Sequence, residues 1–311
     1  MKKVFFVSRE FPFHLVIYPG SGPEFGRSYG WPIATVDEIG EQDADALVIE
    51  NRLRESDVSR LDRFLAEPAR RRPPLFLKVS DPEMPLSNDV GVRWIFAQRD
   101  RPGVHFLSVY EPRGPLADAL RGLRVSRVVR APYPYERRRE VDRAVAERRR
   151  RLFLSGARSR RLYPSRSALV RRRAWNPILR AAVARLRHPG YPDLGATPRH
   201  DVVREKYVDL AARHTHFFLD PSRYGVELMK YVECAYAGCV PLGELPTSLE
   251  PIAGGAFVRW NGSTLSLLRE LRGSSEGMRA AAQRYRETMR AARDPRVLDA
   301  EVDRQLAIVL R

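Results

Sequence analysis

KYVECAYAGCVPLGELPTS, residues 230–248, decides the fold, because it joins a short helix of small residues to an apolar strand and a polar turn. Gly238 suits the left-handed position that ends a helix, so the helix is predicted to end there. The small side chains before it allow the helix to pack closely on a sheet. The segment therefore predicts a buried element of a parallel α/β sheet.

Two charged residues begin this otherwise apolar segment. Lys230 and Glu233 are three residues apart, so on a helix they lie about 60° apart and share one face. A buried ion pair within a structural element is one interpretation. The other is a ligand pocket at the end of the sheet, where helix termini and strand ends converge.

The composition predicts a soluble globular protein of two domains, with 311 residues, 43% hydrophobic and 30% charged. We find no run of 18 or more apolar residues, and MKKVFFVSREF becomes charged too early for a signal peptide, so no membrane span and a cytoplasmic location are expected. Cys234 and Cys239, the only cysteines, lie where a helix ends and a strand starts, which disfavours a structural disulfide. Neither has a histidine pair or carboxylate cluster beside it, so no metal site is predicted.

The chain is strongly basic, with a formal charge of +17, and residues 136–188 hold 18 arginines against four acidic residues. Such a run most often forms a solvated helical face, but it would also attract phosphates, DNA or RNA. Nucleic acid therefore stays open as a partner. A non-catalytic basic nucleic-acid-binding protein with a Rossmann-like fold is the alternative function.

Strands alternate with helices along both halves of the chain, which favours parallel, doubly wound sheets. The first half predicts the strands KKVFFVS, DALVIEN, PLFLKVS, VHFLSVY and VSRVVRAP. The charged segment 131–151 then predicts a hinge or a linker helix, after which the pattern restarts.

The second half opens with a predicted strand at 152–154, a turn around Gly156 and a helix that begins near Pro164. Arginines follow this turn and form a candidate anion site: Arg158, Arg160, Arg161 and Arg166. Further strands are predicted in THFFL, CVPLG and GAFVRW, and residues 274–310 are predicted to be helical.

These segments resemble a known family. KYVECAYAGCVPLGELPTSL is similar to a segment in the C-terminal domain of GT-B glycosyltransferases. LFLSGARSRRLYPSR, HPGY and FFLDPSRYGVELMKYVE resemble the family-1-type bacterial and phage group that is related to spore-maturation proteins. The likeness covers roughly residues 150–260, and the N-terminal half only in architecture.

The resemblance implies an α/β, GT-B-like fold, with two Rossmann-like domains whose parallel sheets face a cleft. An acceptor domain at 1–135, a nucleotide-sugar-binding domain at 136–280 and a terminal helix at 281–311, packing back on the first domain, are expected. It also implies sugar transfer from a nucleotide-sugar, as co-substrate, to an unidentified acceptor, without an obligatory metal or other cofactor. The arginine-rich region keeps a modified DNA base open as that acceptor.

The resemblance further implies roles for single residues. Glu233 is expected to accept hydrogen bonds from ribose hydroxyls, while Lys230 and Arg223 neutralise the diphosphate. The full set of expected donor-binding residues is Glu233, Lys230, Arg223, Tyr224, Gly156, Arg158 and His188. Many retaining relatives carry a second Glu eight positions earlier, where this chain has Gly225, so retention or inversion stays open.

A catalytic base is expected in the N-terminal half, at the carboxyl end of a strand. His14 and Asp81 are the favoured candidates. Glu10, Glu50 and Glu111 hold comparable positions. The glycine- and proline-rich segment 18–32 is predicted to be a loop, either an acceptor loop, a lid or a mobile excursion.

Overall fold

The computed structural model describes residues 1–9, 22–157, 159–186 and 204–310. The chain forms two compact units. Met1–Pro134 and Arg293–Arg311 make the first, and Tyr135–Ala292 makes the second. Among the described helices, none is long and apolar enough to cross a membrane.

The first unit contains one sheet of six parallel strands in the order β2-β1-β3-β4-β5-β6. Its strands are β1 Lys3–Val7, β2 Ile33–Thr35, β3 Ala46–Ile49, β4 Leu75–Val79, β5 Val104–Ser108 and β6 Val128–Arg130. Its helices are α1 Pro23–Tyr29, α2 Glu55–Ala66, α3 Val90–Ala97, α4 Pro115–Ala119 and, at the chain's end, α12 Pro295–Val309. All five strands predicted in this half are present. The short β2 was missed.

Segment 18–32 is not simply a loop, because α1 lies within its described part. Gly22 has a φ of 56°, Pro23 starts the helix, and Gly30 ends it in the left-handed conformation with a φ of 75°. Phe25 packs its ring against Phe5 of β1, with 5.6 Å between centroids. The glycines and prolines that suggested a loop therefore delimit a short helix held by aromatic packing.

The second unit contains five parallel strands in the order β11-β10-β9-β7-β8. Its strands are β7 Arg149–Leu154, β8 Val183–Arg185, β9 His214–Leu219, β10 Val240–Gly243 and β11 Val258–Arg259. Its helices are α5 Pro164–Trp175, α6 Pro177–Ala182, α7 Arg204–Ala212, α8 Lys230–Ala237, α9 Glu250–Ala253, α10 Thr264–Leu271 and α11 Ser275–Ala292. The chain leaves β7 toward β8 on one side and returns to β9 on the other, so the strand order reverses between β7 and β9.

Of the two alternatives predicted for 131–151, the linker helix is wrong, and the hinge stays a prediction. Two single 3-10 turns form instead, at Arg137–Arg139 and Val145–Glu147, and β7 follows directly. Some of these charged side chains bind the rest of the unit instead of forming a helical face. The Nη1 of Arg148 donates to the backbone oxygens of Ala237 and Gly238, at 2.9 and 2.7 Å, where α8 ends. Part of the arginine run therefore serves the fold of this unit.

The helical prediction for 274–310 holds except for one interruption. Asp294 accepts a hydrogen bond from the backbone nitrogen of Arg296 and caps α12, so α11 and α12 are separate helices. α11 belongs to the second unit, whereas α12 belongs to the first. Leu298, Val302 and Leu306 of α12 join the core beneath β1.

Candidate functional site

The candidate site lies at the carboxyl edge of the second unit's sheet, where β7 and β9 are neighbours. Ser155 and Gly156 directly follow β7, and Asp220 directly follows β9. Because the chain departs from these two strands in opposite directions, their ends leave room that ligands occupy in open α/β sheets. α5 and α8 begin near this edge and supply the other side chains of the site.

Asp220 and Arg166 form a buried ion pair at the start of α5. Oδ1 of Asp220 accepts from Arg166 Nε at 3.0 Å and Nη2 at 2.5 Å, while Oδ2 accepts from the Arg166 backbone nitrogen at 3.2 Å. The guanidinium also donates to the backbone oxygen of Ala157 and lies 4.3 Å from the ring centroid of Tyr163. Asp220 therefore satisfies the N-terminus of α5 and fixes the Arg166 cation.

Lys230 places a second basic side chain beside Arg166. Its Nζ donates to the backbone oxygen of Ser155 at 2.5 Å and to the Ser155 Oγ at 3.0 Å. The Ser155 Oγ in turn shares a hydrogen bond of 2.5 Å with the hydroxyl of Tyr207. Burial, reinforced by the Arg166 charge, lowers the pKa of Lys230 well below its ordinary value, while Asp220 and Glu233 oppose the shift.

Gly156 allows both cations to approach the end of β7. Its φ is 100°, and a Cβ at this position would collide with Lys230 Nζ and Arg166 Nη1. Gly156 was predicted as a site residue, and the structure places it against both cations. The positive φ favours glycine here, and any Cβ would also require the ends of both side chains to shift.

Glu233 lies in the first turn of α8 and is buried, with 1% of its surface exposed. Burial raises the pKa of Glu233 to about 7, although the charges of Lys230 and Arg139 act in the opposite direction. Within the described part of the chain, its Oε2 has no hydrogen-bond partner. Among those residues no ion pair joins Glu233 to Lys230, because the ammonium is bound to Ser155 instead.

Arg223 and Tyr224 stack on each other in the turn after β9. The Arg223 guanidinium lies 5.0 Å from the ring centroid of Tyr224, and the side chain is exposed. The backbone nitrogen of Arg223 donates to Leu162 at 2.7 Å, which attaches this turn to the segment before α5. Arg223 is therefore near the start of α5, but no described contact joins its guanidinium to Lys230 or Arg166.

A cavity of about 520 Å³ opens along the same edge, at the ends of β10 and β11. Its lining consists of Gly243, Glu244, Leu245, Arg259, Trp260, Asn261 and Ser266. Glu244 connects it to the cation pair, since its carboxylate accepts from Ser165, next to Arg166. Its backbone oxygen accepts from the Tyr231 hydroxyl at 2.6 Å, next to Lys230. The cavity and the cations thus belong to one continuous edge.

The other predicted site residues lie outside this edge or outside the described part of the chain. His14, Arg158 and His188 lie outside the described residues, as does Glu10. Asp81 lies in the first unit, after β4, where its Oδ1 accepts from the Glu83 backbone nitrogen at 2.8 Å and shapes a turn. Its side chain is exposed. A catalytic role for His14 or Asp81 stays a prediction.

Glu50 and Glu111 have partners of their own in the first unit. Glu50 is buried and binds Lys78 Nζ at 2.9 Å, while Glu111 pairs with Arg113 at 2.7 Å. No group of three or more His, Cys, Asp or Glu residues in the described segments is arranged to hold a metal ion. The metal-free reaction implied by the resemblance stays a prediction.

Sequence reasoning missed Asp220, Ser155 and Tyr207. A signal existed for the first two, because each directly follows a predicted strand, the rule that selected Asp81 in the first half. Tyr207 gave no such signal, since a tyrosine within a helix usually packs in the core. Its hydroxyl reaches Ser155 only because α7 lies against β9 and α8.

The two parallel α/β units define the fold as GT-B-like, as predicted. No known family model and no curated protein sequence matches the chain. Among solved structures, HepE from Anabaena in complex with UDP and glucose aligns over 99% of this chain and 100% of its own, with a TM-score of 0.54 and 11% identity. The structure of the same protein in complex with UDP-glucose aligns over 98% of this chain and 99% of its own, with a TM-score of 0.55 and 12% identity.

The N-terminal domain of Candida albicans trehalose-6-phosphate phosphatase is similar as well. It aligns over 100% of this chain and 97% of its own, with a TM-score of 0.55 and 10% identity. At such identities the similarities establish the fold alone. Membership of the family-1-type group stays a prediction.

Proposed function

We propose that this protein is a glycosyltransferase that binds a nucleotide-sugar at the carboxyl edge of its second sheet. The observation that carries the proposal is the buried Lys230 amine, which Ser155 holds beside Gly156 at the strand-order reversal. The fold supports it, because the similar HepE was solved with UDP-glucose and with UDP and glucose.

The chemistry of transfer explains why cations belong at this edge. The bond between the anomeric carbon and the diphosphate oxygen breaks, a bond to an acceptor oxygen forms, and a base takes the acceptor's proton. Negative charge then develops on the departing diphosphate, and a protonated Lys230 would stabilise it. Arg166 contributes less, since Asp220 already neutralises its charge. Arg223 stays a candidate for the outer phosphate.

Glu233 and the cavity supply the remaining parts of a donor site. The unpartnered Oε2 of Glu233 is an unsatisfied acceptor that a ribose hydroxyl would satisfy. The cavity of about 520 Å³ lies on the same edge and offers the Glu244 carboxylate and the Asn261 amide to sugar hydroxyls. The acceptor stays open, and a modified DNA base is a prediction that rests on the arginine run alone.

The first test is a thermal-shift panel of nucleoside diphosphates and nucleotide-sugars with the wild type, Lys230→Met and Glu233→Gln. One nucleotide class should raise the melting temperature of the wild type, because a ligand that binds only the folded state stabilises it. At a concentration about 100 times the Kd the gain is roughly 2.7 kcal/mol. Both variants should lose most of this shift.

Lys206→Met is the matched control, because Lys206 is an exposed lysine on α7 in the same unit. It should keep the full ligand shift. If Lys230→Met does not fold, the nearly isosteric Glu233→Gln still tests the site. Absence of any shift in folded wild-type protein would contradict the proposal, and salt-dependent nucleic-acid binding would then test the non-catalytic alternative.

A further inference from the structure

Large apolar side chains are exposed where α5 ends and α6 begins. Trp175, the last residue of α5, is 89% exposed, and Ile178, in the first turn of α6, is 50% exposed. The other three tryptophans are buried or half-buried. We call residues 171–181 the α5–α6 corner. An indole this exposed next to a second large apolar side chain is typical of an interaction surface.

The stretch of sequence that contains the α5–α6 corner is strongly basic. Residues 159–186 contain eight arginines and no Asp or Glu. Arg171 and Arg180 are exposed within the corner itself. Arg172 connects the corner to α10, since its guanidinium donates to the Gly262 backbone oxygen and to Thr264 Oγ1. The next residue, Leu265, is 75% exposed, so a third apolar side chain lies beside the corner.

We propose that the α5–α6 corner docks on an anionic lipid surface. Trp175, Ile178 and Leu265 enter the interfacial region, where indole rings are favoured. The arginines bind the phosphates of the headgroups, which attract basic segments near the surface. Apolar insertion and charge attraction together give the two signals that stable peripheral binding requires.

A nucleic acid fits this surface less well. It would bind the arginines, and Trp175 could stack on a base, but Ile178 and Leu265 would gain no partner. The proposal is independent of the donor site, because it uses none of the residues placed at the carboxyl edge of the sheet.

The experiment is cosedimentation of the full chain with vesicles of equal parts phosphatidylcholine and phosphatidylglycerol. Trp175→Ala and Arg171→Glu should each weaken binding about tenfold. Ile308→Ala is the control for loss of an exposed apolar side chain, because Ile308 is 62% exposed in the first unit. Arg279→Glu, at an exposed position of α11, is the control for Arg171→Glu, because it reverses the charge of one arginine outside the α5–α6 corner. Both controls should stay within about twofold of the wild type.

Fluorescence separates insertion from adsorption of a basic protein to an anionic surface. Vesicles should shift Trp175 emission to shorter wavelength, and brominated acyl chains should quench it. Trp175→Phe should abolish both changes. Equal weakening by Arg171→Glu and Arg279→Glu, with no effect of Trp175→Ala, would overturn the proposal. So would loss of duplex DNA binding in Arg171→Glu without loss of vesicle binding, or a dimer in solution that requires Trp175.

Discussion

The ammonium of Lys230 is fixed against Gly156, because its Nζ donates to the backbone oxygen of Ser155, the residue before the glycine. Three constraints meet at this point: a strand ends, the backbone takes a φ of 100°, and the ends of two basic side chains occupy the space that a Cβ would take. A side chain at position 156 would displace Lys230 and Arg166 together.

Gly156→Ala should therefore destabilise the second unit by about 2 kcal/mol or more, from the strained φ and the collision with the cations. Urea unfolding followed by circular dichroism measures this loss. Gly225→Ala is the matched control, since Gly225 has a φ of 70° but no atom within 4 Å of its Cβ position. It should lose only about 1 kcal/mol. Equal losses in the two variants would show that Lys230 and Arg166 move away from the added methyl group at little cost.

Asp220→Asn should cost about 3–5 kcal/mol, because it leaves the buried Arg166 cation without its carboxylate while Lys230 lies nearby. The asparagine keeps the shape of the side chain, so the loss reports charge. The free energy of unfolding is measured by chemical denaturation of Asp220→Asn and of a control variant, Glu250→Gln. Glu250→Gln, which breaks the exposed pair with Arg259, should cost no more than about 1 kcal/mol. A similar small loss in Asp220→Asn would mean that Arg166 finds another partner.

Much of the second sheet could be predicted because its signals are local. The strand in CVPLG and the stop at Gly238 follow from apolar runs and from one glycine, which has a φ of 58°. β8 was missed because Val183–Arg185 is only three residues long and follows α6 directly. So short a strand forms through its pairing with β7, which no local pattern reveals.

The sequence predicted several residues of the candidate site, but not which residues they bind. Lys230 and Glu233 share a helix face, as their spacing requires, yet Lys230 binds Ser155, 75 residues earlier. Arg166 likewise binds Asp220, which lies 54 residues later in the chain. Such partners depend on which strands become neighbours, so they follow from the topology and not from the spacing. The predicted linker helix failed for the same reason, because Arg148 instead binds backbone oxygens at the end of α8.

The buried carboxyl of Glu233 makes a prediction about pH. Burial raises the pKa of Glu233 from an ordinary value of 4.5 to about 7 in the folded state. Between these values the folded protein holds a proton that the unfolded chain has released, so the contribution of Glu233 to stability falls as the pH rises through this window. The loss is complete above pH 7 and amounts to roughly 3 kcal/mol at most.

Glu233→Gln removes this titration while keeping the shape of the side chain. The stability of the variant relative to the wild type should therefore rise from pH 5 to pH 8, by up to roughly 3 kcal/mol. Urea unfolding at several pH values measures the difference, in which titrations elsewhere in the chain cancel. Glu276→Gln, exposed at the start of α11, controls for the loss of one carboxylate. A difference that stays flat across this range would mean that Glu233 remains charged when buried, with the Lys230 ammonium as its stabilising neighbour.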